Sequence, residues 1–359
     1  RLCAEWMATG KTQMDMHSFD IARFYPAQKE KAFVKNRSFE NAQTIYTPPV
    51  HPKEPYISSR ELFVSPFYAR EKELGGYFEN EVGGWERAFA YESNRQKLDN
   101  YLQQVPVRGN EWDQRHVPYE IANAEHLAMS ESAGMINLSH FAIVDVEGPD
   151  AERMLEHLSV AKIGGDTPED KIIYTNFLDD DGGVHADLTI SRLSSGRYRV
   201  VTGGADGNQD WLTMRNYRDD MGLEAKIKIR THDMATLGLW GPTAKDALGH
   251  FIDPNEISIE NFPFVAAKHL KLNLSGGKSI DVWAARISYV GESGWEIYLN
   301  NDEEEGLALY DSLLEVGVVP VGIETYANSR RLEKSFRLQG ADLLSEYNAC
   351  ESAVQRPKV

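Results

Sequence analysis

The chain has 359 residues, 42% apolar and 26% charged, an ordinary globular composition with length for two domains and a sizeable core. Its net charge of −17 and isoelectric point near 5.1 argue against nucleic acid or an anionic membrane surface as a partner, since both need a basic patch. Cys3 and Cys350 sit near opposite ends with no CxxC or Cys/His spacing suited to zinc, no apolar run approaches membrane-spanning length, and mean hydropathy is −0.47; a reducing compartment is the default.

In chain order, residues 1–24 read as a short helix with Leu2, Trp6 and Met7 on one face and Gly10 as its stop, then a connector with Phe19, Ile21 and Phe24. The opening Arg1-Leu2-Cys3 carries no initiator Met and no leader pattern, so it reads as the interior of a longer chain, and the end at Val359 reads likewise. Residues 25–60, with prolines at 26, 48, 49, 52 and 55, read as an extended or irregular linker. Residues 61–103 carry Phe63, Phe67, Tyr68, Tyr77, Phe78, Trp85, Phe89 and Tyr91, interrupted by Gly75-Gly76 and Gly83-Gly84, and read as a small connecting module.

From about residue 117 the pattern is regular α+β. The spacing predicts a helix over 120–133 stopped by Gly134, a strand over 141–146, and a helix from Pro149-Asp150 to Leu158. A hairpin follows: a strand over 172–178, an Asp/Gly turn over 179–183, and a strand over 184–192. Another strand over 197–202, a helix over 210–221 and at least one strand within 226–239 come next. A second hairpin runs over 280–289 and 295–299 around Gly291-Glu292-Ser293-Gly294. Helices over 307–316 and 326–334 complete the reading.

Glycine-rich phosphate cradles, HExxH and GxSxG motifs are absent, and the ten histidines show no metal-ligand spacing. Two places carry chemistry. Asp187 lies in a strand between Leu188 and Ala186, with Ile190 beyond. A carboxylate in such surroundings has a raised pKa and can act as acid, base or charge stabiliser; the plain alternative is a solvated strand residue. The second is Arg286-Ile287-Ser288-Tyr289-Val290-Gly291-Glu292-Ser293-Gly294-Trp295-Glu296. A carboxylate on a glycine-flanked turn can accept two parallel N–H bonds from an amidine-like edge, such as that of a pterin, with Tyr289 beside it; the plain alternative is a surface turn.

Beyond these readings, the run from Gly134 onward resembles the folate-binding aminomethyltransferase domain of the glycine cleavage T-protein. The matching phrases are Gly134-Met135-Ile136-Asn137-Leu138-Ser139-His140, Val146-Glu147-Gly148-Pro149-Asp150-Ala151, Gly182-Gly183-Val184 to Leu188, Leu239-Trp240-Gly241-Pro242, Tyr289 to Glu296, and Arg331-Leu332-Glu333-Lys334. They cover roughly residues 117–350 in the family's order. Ala4-Glu5-Trp6-Met7 and Asp20-Ile21-Ala22-Arg23-Phe24 resemble the end of the flavin domain of dimethylglycine and sarcosine dehydrogenases. Ser65-Pro66-Phe67-Tyr68, Leu74-Gly75 and Gly84-Trp85-Glu86-Arg87 resemble their central module.

The resemblance implies an α+β T-protein-like fold with antiparallel sheets and a central cavity, its C-terminal β-barrel largely missing. It divides the chain into a flavin-domain remnant (1–24), a connecting module (25–105) and a folate-binding domain (106–359). It implies Asp187 as the reactive carboxylate and Tyr289 and Glu292 as pterin-binding residues; Tyr174, Gly203 and Arg286 complete the candidate set, and no metal is expected. Four positions depart from the T-protein pattern. Asn137 stands for an Asp, Ala186 for the first of two adjacent acids, Gly203 for an Asn and Ala327 for an Arg.

The implied activity is capture of the one-carbon unit released when a flavin domain in cis oxidises a small N-methylated amine. Tetrahydrofolate is the acceptor, methylenetetrahydrofolate the product, and FAD belongs to the absent domain. Bacterial cytoplasm or mitochondrial matrix suits such an enzyme. Rival readings are transfer from a lipoyl carrier, demethylation of an ether or sulfonium, a non-catalytic folate-binding domain, and a purely structural lobe.

Overall fold

The computed structural model describes residues 1–348 apart from 11, 13, 47–55, 80, 106–117 and 166. Pro48, Pro49, Pro52, Pro55, Cys350 and the closing residues thus lie outside the described residues. The described strands are β1 (Gly134–Asn137), β2 (Ala142–Glu147), β3 (Ile172–Leu178), β4 (Val184–Ser194), β5 (Arg197–Thr202), β6 (Lys226–Ile229), β7 (Met234–Trp240), β8 (Ala267–Asn273), β9 (Ser279–Ala285), β10 (Gly294–Asn300) and β11 (Val319–Pro320). They form two sheets in two compact units, each assembled from discontinuous segments. The architecture is mixed α/β with mainly antiparallel pairing, as the resemblance implied, and no closed barrel forms among the described residues. No described helix is long and apolar enough to cross a membrane.

The first unit comprises residues 1–24, 141–231 and 337–359. Its sheet runs β3-β4-β5-β2-β6. Strict alternation along β4 sends Val184, Ala186, Leu188 and Ile190 into the core, where they meet Phe177, Val200 and Tyr198, so His185, Asp187 and Thr189 fall on the opposite face. Helices Ala151–Leu158 and Gly207–Asp220 close the core with Met154, Leu155 and Met214. The helix Leu2–Thr9 ends at Gly10 in the left-handed conformation, as the sequence indicates, and buries none of its residues. Met7 is 89% exposed.

The second unit comprises residues 25–140 and 232–336. Its sheet runs β11-β1-β7-β10-β9-β8, with only the short β11–β1 pair parallel. Trp295, Ile297 and Leu299 from β10 pack with Leu237 and Leu239 from β7 and with Leu309 and Leu313 from helix Glu303–Glu315.

Several sequence expectations change. The region 25–60, which reads as linker in sequence, contains a helix, Lys31–Tyr46. Its larger aliphatic and phenyl side chains, Phe33, Val34, Phe39 and Ile45, are scattered, and it is fixed by charge instead. Arg37 is buried against Glu81, its guanidinium 4.3 Å from the Tyr56 ring, and Glu40 accepts from the Ile57 and Ser58 amides. Gly134 does not stop a helix. The helix Tyr119–Glu131 ends before Ser132, and Gly134 opens β1 at a point where a methyl group would stand 2.7 Å from Met129 Cε. In keeping with at least one strand expected over 226–239, β6 and β7 form there, and they belong to different sheets. In the second hairpin, β9 ends at Ala285, and residues 286–293 form a long connection in place of a tight turn. The last predicted helix is π-helical over Thr325–Arg330, followed by Arg331–Glu333.

Candidate functional site

Asp187 pairs with Asn176 across β3–β4, and Tyr174 pairs with Thr189 one step along the same face. Asn176 Nδ2 lies 3.3 Å from Asp187 Oδ1, and the Tyr174 hydroxyl is also hydrogen-bonded to the carboxylate. Burial pushes Asp187 up to about 7; the Tyr174 and Asn176 hydrogen bonds only partly offset it. The sequence thus gives a carboxylate on the non-core face, with two neutral donors and, among the described residues, no paired cation.

A second acid, which sequence reading passed over, lies behind it. Asp210, on helix Gly207–Asp220, is buried and accepts a 2.6 Å bond from Thr202 Oγ1. Burial raises it to about 8. His185 Nε2 stands 4.0 Å from its Oδ1 and 2.9 Å from Thr213 Oγ1, while His185 Nδ1 meets His17 Nε2 at 3.1 Å. His17 in turn is held by Asp15 at 3.2 Å. The two histidines are 168 residues apart in sequence, so no local pattern reveals the pair. Gly203 follows β5 with open space around it and offers no side chain.

The second constellation belongs to the other unit. The connection carrying Tyr289 and Glu292 is pinned at three points. Trp240 Nε1 donates to Ile287 O at 2.8 Å, Gly291 N donates to Ser288 Oγ at 3.0 Å, and Gly241 N donates to Ser293 O at 3.1 Å. Gly291 has φ +76°, and the Lys334 stem lies where its Cβ would be. Gly294 admits the Leu239 carbonyl so closely that any side chain would overlap it. The two glycines are therefore required for conformation and for close approach.

Tyr289 lies between aromatic rings: 5.3 Å from Tyr326 and 6.0 Å from Phe336, nearly parallel to the latter, with Trp240 beyond Tyr326 at 5.6 Å. Glu292 is half-buried. Its Oε1 meets Arg330 Nη2 in an ion pair, with Lys334 Nζ at 4.0 Å, and Oε2 meets neither cation. A carboxylate held through one oxygen, beside an aromatic wall, suits the donor edge of a flat heterocycle such as a pterin. Arg286, carried as a candidate, is engaged elsewhere in this unit. It donates to Ile257 O and Phe262 O at 3.3 and 2.7 Å, and its guanidinium lies 5.2 Å from the Trp295 ring. Among the described residues no His, Cys, Asp and Glu cluster could hold a metal ion.

Two family models match this chain. The GCVT N-terminal domain covers residues 67–356, and the FAD dependent oxidoreductase central domain covers residues 9–65. The chain belongs to the GCVT N-terminal domain family.

Among curated relatives, 4-methylaminobutanoate oxidase (formaldehyde-forming) of Paenarthrobacter nicotinovorans is 30% identical over 95% of this chain and 39% of its own length. Mouse mitochondrial sarcosine dehydrogenase is 27% identical over 98% and 40%. Human mitochondrial dimethylglycine dehydrogenase is 32% identical over 66% and 26%. The chain thus spans two fifths or less of the length of these relatives. In fold it is similar to the glycine cleavage system aminomethyltransferase T of Bartonella henselae. The TM-score is 0.62 at 22% identity, over 82% of this chain and 70% of that one. The resemblance read from the Gly134–His140, Gly182–Leu188 and Tyr289–Glu296 phrases is borne out.

Proposed function

We propose that this chain is the tetrahydrofolate-dependent one-carbon transfer portion of an amine dehydrogenase, working beside a flavin domain in cis. The observation that carries this reading is Asp187. It is a carboxylate on a rigid strand, raised by burial to about 7 and held by Tyr174 and Asn176. Such a group takes and returns a proton near neutrality, and removing one like it slows a reaction on the order of 100- to 10,000-fold. Bound tetrahydrofolate supplies the nitrogens that accept a one-carbon unit at the formaldehyde level. Glu292 binds the donor edge of the pterin and Tyr289 packs against the ring, with Tyr326 and Phe336 fixing the tyrosine. Asp187 holds the proton exchanged with the amine and stabilises positive charge beside it.

The substrate class is a small N-methylated amine of the dimethylglycine or sarcosine kind, and the product is 5,10-methylenetetrahydrofolate. FAD is assigned to the domain in cis. The location is a bacterial cytoplasm or a mitochondrial matrix; the sarcosine and dimethylglycine dehydrogenase relatives are mitochondrial by name. A second reading follows from the formaldehyde-forming relative, which matches 95% of this chain: the carbon leaves as free formaldehyde. The two are separated by assaying the full-length enzyme with an N-methylated amino acid, with and without tetrahydrofolate. Suppression of free formaldehyde by tetrahydrofolate, lost in Asp187→Asn, supports the transfer reading. Formaldehyde release indifferent to tetrahydrofolate overturns it.

A further inference from the structure

Arg330 is the least exposed cation near the Glu292 turn, with 2% of its side chain accessible against 21% for Glu292. Its two terminal nitrogens are divided. Nη2 meets Glu292 Oε1, whereas Nη1 donates to Glu333 Oε2 at 2.8 Å and stands 3.5 Å from His126 Nε2. His126 is tied through Nδ1 to Ser329 Oγ at 2.9 Å. The guanidinium is therefore fixed from one side and presents a single nitrogen to Glu292.

The backbone beneath it is π-helical from Thr325 to Arg330, the rare wide turn that recurs at functional sites. That turn carries Tyr326 to the Tyr289 ring and Arg330 to Glu292, so both ligand-facing residues of the 289–292 connection are met from one helical segment. The same turn carries Ala327, where the T-protein pattern has an arginine, and three residues later Arg330 meets the Glu292 carboxylate. The neighbouring Arg331 does something different: it donates to Ala327 O at 2.8 Å and Phe336 O at 3.1 Å, closing the helix end.

We propose that Arg330 is a positioning residue for Glu292. It takes Oε1 from a fixed direction, so that the plane of the carboxylate and Oε2 are presented to the ligand's donor edge. The inference rests on the folate reading above and adds a residue to it. A half-buried glutamate without this partner would rotate among rotamers, and Oε2 would lose its fixed direction toward the donor edge.

The test is a double-mutant cycle in the full chain, with tetrahydrofolate binding as the readout and thermal unfolding monitored alongside: Arg330→Met, Glu292→Gln and the pair, with Arg330→Lys as the milder variant should the Met variant unfold. The expected result is a loss of roughly tenfold in affinity for Arg330→Met and a smaller loss for Arg330→Lys. In the Glu292→Gln background, neither change should have further effect. Equal losses in both backgrounds would overturn the inference, because Arg330 would then act independently of Glu292. Wild-type affinity in the Arg330 variants, with weakened Glu292→Gln, would overturn it while leaving the folate reading intact. Undiminished binding by Glu292→Gln would overturn the folate reading and the inference together.

Discussion

Asn137 donates a 2.9 Å hydrogen bond to Glu71, so the position where the T-protein pattern has an aspartate is here the amide partner of a buried carboxylate. Tyr91 reaches the other Glu71 oxygen at 2.6 Å, and Asn137 also donates to Ser65 Oγ at 2.7 Å. The network joins the connecting segment to β1. The departure at 137 is thus a structural complement to Glu71, and an aspartate there would set two carboxylates against each other.

An Asn137→Asp variant should therefore be destabilised, and the loss should depend on pH. Burial raises Glu71 from 4.5 to about 7, against the Tyr91 and Asn137 bonds that lower it. A carboxyl raised in the fold contributes stability while protonated, and that contribution falls as pH climbs from about 4.5 through about 7. With a second acid the two share a proton at low pH and repel above it. The expected loss is about 3 kcal/mol at pH 8 and clearly less at pH 5. Thermal unfolding at the two pH values checks this; equal losses at both would contradict it.

Asp187 costs the fold stability at neutral pH, because burial disfavours its charged form. Its folded value of about 7 exceeds its ordinary 3.8. The penalty therefore grows as pH rises from about 4 to about 7 and levels off above. Asp187→Asn removes it. The variant should gain on the order of 1 to 2 kcal/mol at pH 8 and nothing at pH 4, while losing turnover in the full-length enzyme. Denaturant titration at both pH values is the measurement, and a variant less stable at pH 8 would refute the assignment of the burial cost.

Two glycines with similar positive φ should respond differently to alanine. Gly182, φ +83°, has nothing within 4 Å of its absent Cβ, so Gly182→Ala should cost only the conformational strain, about 1 kcal/mol. Gly291, φ +76°, lies under the Lys334 stem. Gly291→Ala should cost that strain and also displace Lys334, with a measurable loss of tetrahydrofolate affinity that Gly182→Ala does not share. Paired melting and binding measurements decide it.

Glu125 joins three chain segments through one carboxylate. Its Oε1 accepts from Tyr91 N at 2.9 Å and Asn94 Nδ2 at 2.7 Å, and its Oε2 accepts from Gly322 N at 2.8 Å. Glutamine has one acceptor oxygen in place of two, so Glu125→Gln must set an amide donor against a buried donor. A loss of about 2 to 3 kcal/mol is expected; chemical denaturation showing under half of that would argue that the network rearranges freely.

The first unit's sheet was legible because its strands alternate strongly. Val184, Ala186, Leu188 and Ile190 against Asp187 and Thr189 give both the strand and the face on which the carboxylate lies. Lys31–Tyr46 was not legible, because its burial rests on Arg37 pairing with Glu81 forty-four residues away and not on an apolar stripe. β1 was missed because four residues carry too little periodicity and Gly134 read as a stop. The Glu292 turn was visible from its glycines, but its guanidinium partner was not. Arg330 looks like any surface arginine in sequence; only the π-helical turn, which no periodicity rule foresees, brings it under the turn. His17 and His185, and Asp210 behind them, meet through tertiary contacts alone.

We propose that Glu292 binds folate and that Asp187 performs the proton chemistry. Calorimetric titration of tetrahydrofolate into the chain, beside Glu292→Gln and Asp187→Asn, tests it most directly. The expected result is micromolar binding by the unsubstituted chain, a loss of tenfold or more in Glu292→Gln, roughly 1.4 kcal/mol or greater, and near-unchanged affinity in Asp187→Asn. A folded chain that does not bind tetrahydrofolate, or one whose binding survives Glu292→Gln intact, would contradict it.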